Sequence, residues 1–385
     1  MLFTYSSLSA DEARVLERIA QMRDELRFYV VQEPRRWTGL LARMTRARAL
    51  RGSNSIEGIN VSAEDAIAAV DNEDPTDADK PTWQAVVGYH AAMDYILQRC
   101  RDQHFRFSTD VLLAIHFMIS QHDLRSNPGN FRPGWVGVRN LATGELVHEG
   151  VDRDSLEPLV GELMGYMNDD PGESIIVKAA MAHLNLTMMH PFSDGNGRTA
   201  RCLQTAVLAK EGIVAPIFSS IEEYIGRNQQ EYYDVLATVG GGAWNPERDC
   251  QPWIRFCIKG HFRQAQTLLR RNREFERVYD ELLRVVQQRG LPERTALALL
   301  EAAAGVRVRN ASYRVSAGIS NNLASRDLKG LVDARLLVAE GERRGRFYVA
   351  SDLVRALRQR HRLPKAVDDP FEVVTSSASQ PSLFG

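Results

Sequence analysis

At 385 residues the chain is long enough for two or three domains, each with a sizeable core. A formal net charge of −1 excludes a uniformly basic nucleic-acid binder, and no run is long and apolar enough to span a membrane. The four cysteines, Cys100, Cys202, Cys250 and Cys257, are scattered without metal or redox spacing, which excludes a disulfide scaffold or zinc ribbon. The first residues lack the basic and apolar regions of a signal peptide, so a reduced, cytoplasmic setting is expected.

In chain order, Ser53-Asn-Ser-Ile-Glu57-Gly58 has the form of a short helix end, with Ser53 or Ser55 available as a cap and Gly58 as a stop. The acidic stretch 71–80, with Pro75, reads as a solvated loop. Residues 131–139 have strand character, 142–145 form a turn, and Leu146-Val147-His148 returns as a second strand. From Ser174 to Met189 a largely apolar helix, with His183 and Asn185 as polar insertions, is expected to be buried on most of its surface. Pro191 cannot extend it and pushes His190 toward an extended conformation, with its ring free to enter a cleft. Ala200, Leu203, Ala206, Val207 and Lys210 resume helical spacing before Gly212 as a stop. Residues 224–236 follow as an amphipathic helix carrying Tyr232 and Tyr233.

The C-terminal third is electrostatically distinct. Residues 261–365 carry 22 Lys and Arg against 11 Asp and Glu, a net charge of +11, and the rest of the chain is −12. Such asymmetry points to an anionic partner for this part. Residues 275–289 predict an amphipathic helix closed by Gly290, and 292–304 a second. A recognition-like helix centres on 320–329, and 338–349 read as strand, glycine turns and strand. This region resembles a winged helix–turn–helix. In a DNA reading Asn321, Asn322 and Arg326 reach base edges and Arg343, Arg344 and Arg346 reach phosphates; the competing reading is a protein-interaction or dimerisation module. The Ser-rich stretch 368–385 is expected to be disordered.

The chemistry concentrates in His190-Pro-Phe-Ser-Asp194-Gly-Asn-Gly-Arg198-Thr-Ala-Arg201. The glycines precede a helix, where unpaired N–H groups and the positive end of the helix dipole await an anion. Glycine permits the positive φ that curls consecutive amides into a nest. Asp194 is a hard oxygen ligand suited to Mg²⁺ shared with phosphates. Arg198 and Arg201 share a helix face. His190 can accept a proton from a hydroxyl at neutral pH. A zinc reading fails on spacing, since His183 and His190 are seven residues apart with no Cys pair. Transfer from a nucleotide to a hydroxyl is the expected chemistry.

On these residues the chain resembles the Fic (Fido) domain family. The resemblance implies a mainly α fold, with a Fido helical core and a β-hairpin flap, and transfer of AMP from ATP to a Tyr, Thr or Ser hydroxyl of a target protein. It implies His190 as general base and Asp194 as Mg²⁺ ligand. Gly195, Asn196 and Gly197 would form the anion hole, Arg198 would touch the phosphates and Arg201 the γ-phosphate. Thr199 and Ala200 complete the nucleotide-binding stretch, and Tyr232 and Tyr233 would flank the base or ribose. Gly197, rather than the lysine of a kinase-like branch, favours nucleotidyl transfer. Ser53, Glu57 and Gly58 resemble the family's inhibitory motif, which implies that Glu57 pairs with Arg201 and denies it to the γ-phosphate. Val147 and His148 fall where the flap holds the target by main-chain pairing.

The expected organisation is an N-terminal helical region over 1–106 with the motif at 53–58, a catalytic domain over 107–258, a small winged-helix-like domain over 265–362 and the tail 368–385. Alternatives are a DNA-binding transcriptional regulator with a vestigial Fic core, or an enzyme of this fold that uses another nucleotide or removes AMP. Partners are ATP, a target protein and, through the basic region, DNA; a homo-oligomer is compatible with the sequence.

Overall fold

The computed structural model describes residues 1–5, 7–27, 36–139, 143–169, 172, 174–210, 220–342, 345–365 and 369–372. The chain divides into two compact units. The first comprises the described residues within Met1–Arg23, Thr45–Ala265 and Asp368–Gly385, the second those within Asp24–Met44 and Gln266–Val367. The boundary expected at residue 106 does not divide the fold. Phe3, Ile19, Leu50 and Tyr89 share one apolar core with Leu163, Leu186 and Trp253, so the N-terminal helices complete the core of the first unit.

The fold is mainly α. The first elements are α1 (Ala10–Arg27), α2 (Thr38–Ile56), α3 (Ala63–Asp71), α4 (Lys80–Arg99) and α5 (Thr109–Ser120). Their starts follow from sequence. The side chains of Ser62, Asp79 and Ser108 accept from Asp65 N, Thr82 N and Val111 N, each satisfying one orphan amide of a first turn.

A hairpin follows, with β1 (Gly137–Arg139) antiparallel to β2 (Leu146–Glu149) and a register shift between Val138 and Arg139. It is shorter than the sequence predicts. Arg132 N donates to Pro191 O, which binds the start of this stretch to the domain, while Val136 O accepts from Gly150 N just beyond β2. The tip at 140–142 lies outside the described residues.

Next come α6 (Leu156–Asn168), α7 (Ile175–Met189) and α8 (Asn196–Lys210), and α7 and α8 form the nearly fully buried centre of the first unit. The polar residues on α7 are satisfied there. His183 Nδ1 lies 2.6 Å from Gln204 Oε1 and Nε2 3.1 Å from Tyr232 Oη; Asn185 Oδ1 accepts from Phe3 N and its amide donates to Phe3 O. The stop expected at Gly212 lies outside the described residues.

After α9 (Glu222–Arg227) and α10 (Gln229–Gly240), α11 runs without interruption over 38 residues, Gln251–Gln288. The sequence places its start at Phe275 instead. Gly260 sits inside the helix, where a β-carbon would lie 2.9 Å from the Tyr224 ring. The tail also departs from expectation at 369–372. There Asp369 pairs with Lys259 at 3.2 Å and the Phe371 ring lies 4.9 Å beneath the Arg255 guanidinium. An aromatic residue and a carboxylate find complementary partners, which the serines around them conceal. Residues 373–385 lie outside the described set.

The second unit contains α12 (Thr295–Ala303), α13 (Asn310–Ala317) and α14 (Asn321–Asp333), then β3 (Leu337–Glu340), β4 (Phe347–Ala350) and α15 (Asp352–Arg360). The strands pair antiparallel from Leu337↔Ala350 to Glu340↔Phe347, and Val308 bridges Tyr348 on the far side. Gly318 at φ 64° ends α13, and Ser320 caps α14 through Leu323 N. Asp327 is buried but fully used, accepting from Arg294 and from Tyr313 Oη. Among the described residues, no helix of either unit is long and apolar enough to cross a membrane.

Candidate active site

The site lies between α7 and α8. His190 caps α7 at φ 51° and ψ 59°, a left-handed conformation rather than the extended one that the following proline predicts. Pro191 disfavours only right-handed helix at this position, and the left-handed turn lets His190 N bond Leu186 O at 3.1 Å. Its Nδ1 lies 3.3 Å from Thr187 O. A carbonyl can only accept, so Nδ1 carries the proton and Nε2 keeps its lone pair. Burial pushes the imidazole down to about 4, beyond what the Thr187 carbonyl restores, so the ring is neutral at physiological pH.

Residues 192–196 form a closed turn. Asn196 brackets it, its Oδ1 accepting from Phe192 N at 2.9 Å and its Nδ2 donating to Phe192 O at 2.8 Å. Gly195 takes φ 78°, and a β-carbon there would meet Ser120 Oγ at 2.8 Å, so glycine is required on both counts. Gly195 O accepts from Thr199 N and opens α8. The amides of the first turn of α8 have no intrahelical partner. Thr199 and Ala200 are fully buried on the core side of this turn.

Two arginines stand over that turn. Arg198 is 2% exposed; its Nη2 pairs with Asp194 Oδ2 at 3.2 Å, while Nε and Nη1 have no partner among the described residues. Arg201 is 1% exposed, its Nη2 lies 2.7 Å from Glu57 Oε1, and its Nη1 has no partner among the described residues. Burial alone would lower the Arg201 pKa, yet the adjacent Glu57 carboxylate raises it above the ordinary value, so the guanidinium stays charged. Buried, charged donors without acceptors are costly and call for an anion.

The Glu57 carboxylate stands where that anion would go. It lies so close to Gly197 that a β-carbon would overlap Oε1. Ser53 holds Arg201 as well, its Oγ accepting from Nε at 2.8 Å and its carbonyl from Nη2 at 3.0 Å. Gly58, at φ 76°, ends this turn.

Of the remaining predicted residues, Tyr232 is 2% exposed and packs with His183, Trp253 and Phe256, making it a core residue here. Tyr233 is half-exposed, and its hydroxyl donates to Ile56 O at 2.6 Å. On β2, His148 turns inward with Nε2 2.8 Å from Met188 O, and Val147 is half-buried.

Asp194 is the metal candidate. Its side chain is 61% exposed, and Mg²⁺ is commonly held by one or two carboxylates together with substrate phosphates. Among the described residues no cluster of three or more His, Cys, Asp or Glu could hold a metal alone. The donor set therefore fits a cation whose other ligands come from a nucleotide.

Residues 106–208 match the model of the Fic/DOC family. The chain carries a Fic/DOC domain. "Protein adenylyltransferase Fic" of Culex quinquefasciatus is 30% identical over 175 residues, 44% of this chain and 31% of that protein. "Protein adenylyltransferase fic-1" of Caenorhabditis elegans is 27% identical over 179 residues, 45% of this chain and 31% of that protein. The alignments thus span about a third of the length of these curated relatives. Among solved structures, a Fic family protein from Desulfovibrio desulfuricans G20 has a TM-score of 0.59 at 20% identity, covering 90% of this chain and 98% of that one. Fic-1 from C. elegans has a TM-score of 0.55 at 22% identity, covering 68% and 72%. These likenesses establish the fold.

Two further residues of the Fic/DOC domain brace the site. Arg132 donates to His190 O at 2.8 Å and also to the carbonyls of Gly134 and Val151, stapling the base of the hairpin to the histidine. His116 contacts Asp194 O at 3.0 Å. Neither lies in a motif; only the isolated polar residue on the apolar helix α5 hinted at His116.

Proposed function

We propose that this protein transfers AMP from ATP to a hydroxyl of a target protein, and that Glu57 restrains it. The observation that carries the reading is the Glu57 carboxylate seated on Arg201 against Gly197, an internal anion in a site built for an anionic ligand. When α2 yields, Arg201 is free for the γ-phosphate, and the amides of α8 with Arg198 take the α- and β-phosphates. Asp194 would hold Mg²⁺, which would supply charge neutralisation to the phosphates.

His190 Nε2 takes the proton of the incoming Tyr, Thr or Ser hydroxyl as its oxygen bonds to the α-phosphorus. The bond from that phosphorus to the bridging oxygen breaks, and diphosphate leaves. The reading is tested by incubating the Glu57→Gly protein and a lysate with ATP, CTP, GTP and UTP, each labelled on the α-phosphate. Label should enter protein from ATP above the others. Equal incorporation, preference for another nucleotide or removal of AMP would replace this reading.

For the second unit the favoured reading is duplex DNA binding. Asn321, Asn322, Ser325, Arg326 and Lys329 are exposed on α14, and Arg346 is exposed beside the β3–β4 turn. A positive helix face with a flanking hairpin suits a groove and its phosphates. Arg343 and Arg344 lie outside the described residues. Arg326→Glu with Lys329→Glu in the full chain should abolish a low-salt mobility shift; no shift with the parent would favour a protein-interaction module.

A further inference from the structure

One buried side chain beside the anion turn belongs to no motif. His116, on the inner face of α5 among Leu112, Ile115 and Ile119, is completely buried. It spends both ring nitrogens on main-chain groups far apart in sequence. Gly129 N donates to Nδ1 at 3.0 Å, and Nε2 lies 3.0 Å from Asp194 O. An N–H that points at Nδ1 requires a lone pair there, so the proton sits on Nε2 and is donated to Asp194 O. The ring also stacks on Phe192, with centroids 3.7 Å apart and planes within 6°.

The consequence lies in the peptide unit that receives the bond. Asp194 O and Gly195 N–H belong to one planar trans peptide, in which the carbonyl and the N–H point in opposite directions. A donor that fixes the carbonyl toward α5 therefore fixes the Gly195 N–H away from it. The same peptide carries the Asp194 side chain on one side and, at φ 78°, the glycine that starts the anion turn on the other. Asn196 holds this turn from within through Phe192, and His116 holds it from outside through Phe192 and Asp194. A flipped Asp194–Gly195 peptide would aim a carbonyl where an amide is needed, and anion nests depend on that orientation.

Resting on the AMP-transfer reading above, we propose that His116 is a positioning residue for the phosphate-binding turn: its Nε2–H sets the Asp194–Gly195 peptide so that the Gly195 amide and the Asp194 carboxylate meet the nucleotide together. Its Nδ1 has a separate task, tying the turn to Gly129 at the approach to the hairpin.

Three substitutions divide these tasks. A glutamine amide reaches the place of Nε2, and an asparagine carbonyl the place of Nδ1. Phenylalanine keeps the stack on Phe192 and loses both bonds. In the Glu57→Gly background, His116→Gln should retain AMP transfer within about threefold. His116→Asn and His116→Phe should lose between tenfold and a hundredfold in kcat, the range that small misplacements of catalytic groups produce. Calorimetric titration with ATP in a chelating buffer should show the same order, with Asn and Phe binding several-fold more weakly than Gln. Hydrogen exchange should rise at residues 192–197 in Asn and Phe while that of α7 stays at the parent level. Equal behaviour of Gln and Asn, full activity in Phe, or losses that track melting temperature across all three would overturn the assignment. If the Glu57→Gly parent itself transfers no AMP, the functional reading fails, while the order of ATP affinities and exchange rates still decides whether His116 positions the turn.

Discussion

The Tyr233 hydroxyl donates to the carbonyl of Ile56 across 2.6 Å, one residue before Glu57. Gln229 Nε2 lies 3.3 Å from Ser55 Oγ on the same turn. At Gly226 a β-carbon would come within 2.7 Å of Gly52 Cα, so α9 and α2 pack backbone to backbone. The end of α2 is thus held on one side by Arg201 and on the other by α9 and α10.

Tyr233→Phe should therefore loosen the restraint. One hydrogen bond to a half-exposed partner contributes about 0.5–1.5 kcal/mol, or roughly a two- to tenfold rise in basal AMP transfer. Steady-state rates with and without the substitution check this. If Tyr233 instead served the base or ribose, the phenylalanine variant would show an unchanged rate and the alanine variant a raised KM for ATP.

His190→Ala should lower AMP transfer by about 10²–10⁴-fold with ATP affinity nearly intact, because the imidazole removes a proton and touches no phosphate. Burial holds His190 down to about 4, so the neutral, competent form already dominates above pH 6. The rate should show no acidic limb between pH 6 and 8. A half-maximal rate near pH 6.5 would mean that the ring is solvated in the working enzyme.

The same burial has a consequence for stability. His116 and His190 are pushed down to about 4 and His183 to about 3, all chiefly by desolvation. Unfolded histidine titrates near 6.5. Below that pH the unfolded chain binds protons that the folded chain refuses, so stability falls as pH drops from 6.5 toward 4. Each such histidine contributes a slope on the order of 1.4 kcal/mol per pH unit. Urea midpoints should decline steeply between pH 6.5 and 5. A flat profile across that window would show that these rings take up protons in the native state.

Much of the loop over 190–201 is legible in the sequence because its requirements are local. A proline after a helix, two glycines and a helix start declare an anion turn within a dozen residues. Helix α7 follows from its apolar pattern in the same way. The pairing of Glu57 with Arg201 spans 144 residues, and the family pattern alone suggested it. What escaped depends on tertiary context. The contact of His116 with Asp194 spans 78 residues, and the Arg132 staple on His190 spans 58; neither leaves a local pattern. Tyr232 and Tyr233 look equivalent as neighbours, but one helix step separates a buried core ring from a half-exposed one.

The central claim is that Glu57 acts by occupying Arg201, and a double-mutant comparison tests it most directly. AMP incorporation from labelled ATP is measured for the parent, Glu57→Gly, Arg201→Ala and the double variant, with melting temperatures alongside. A charge-assisted contact freed for the γ-phosphate predicts that Glu57→Gly raises the rate on the order of tenfold to a hundredfold, and that Arg201→Ala in the same background removes most of the gain. An unchanged rate in Glu57→Gly with a lowered melting temperature, or full activity in the double variant, would contradict the account.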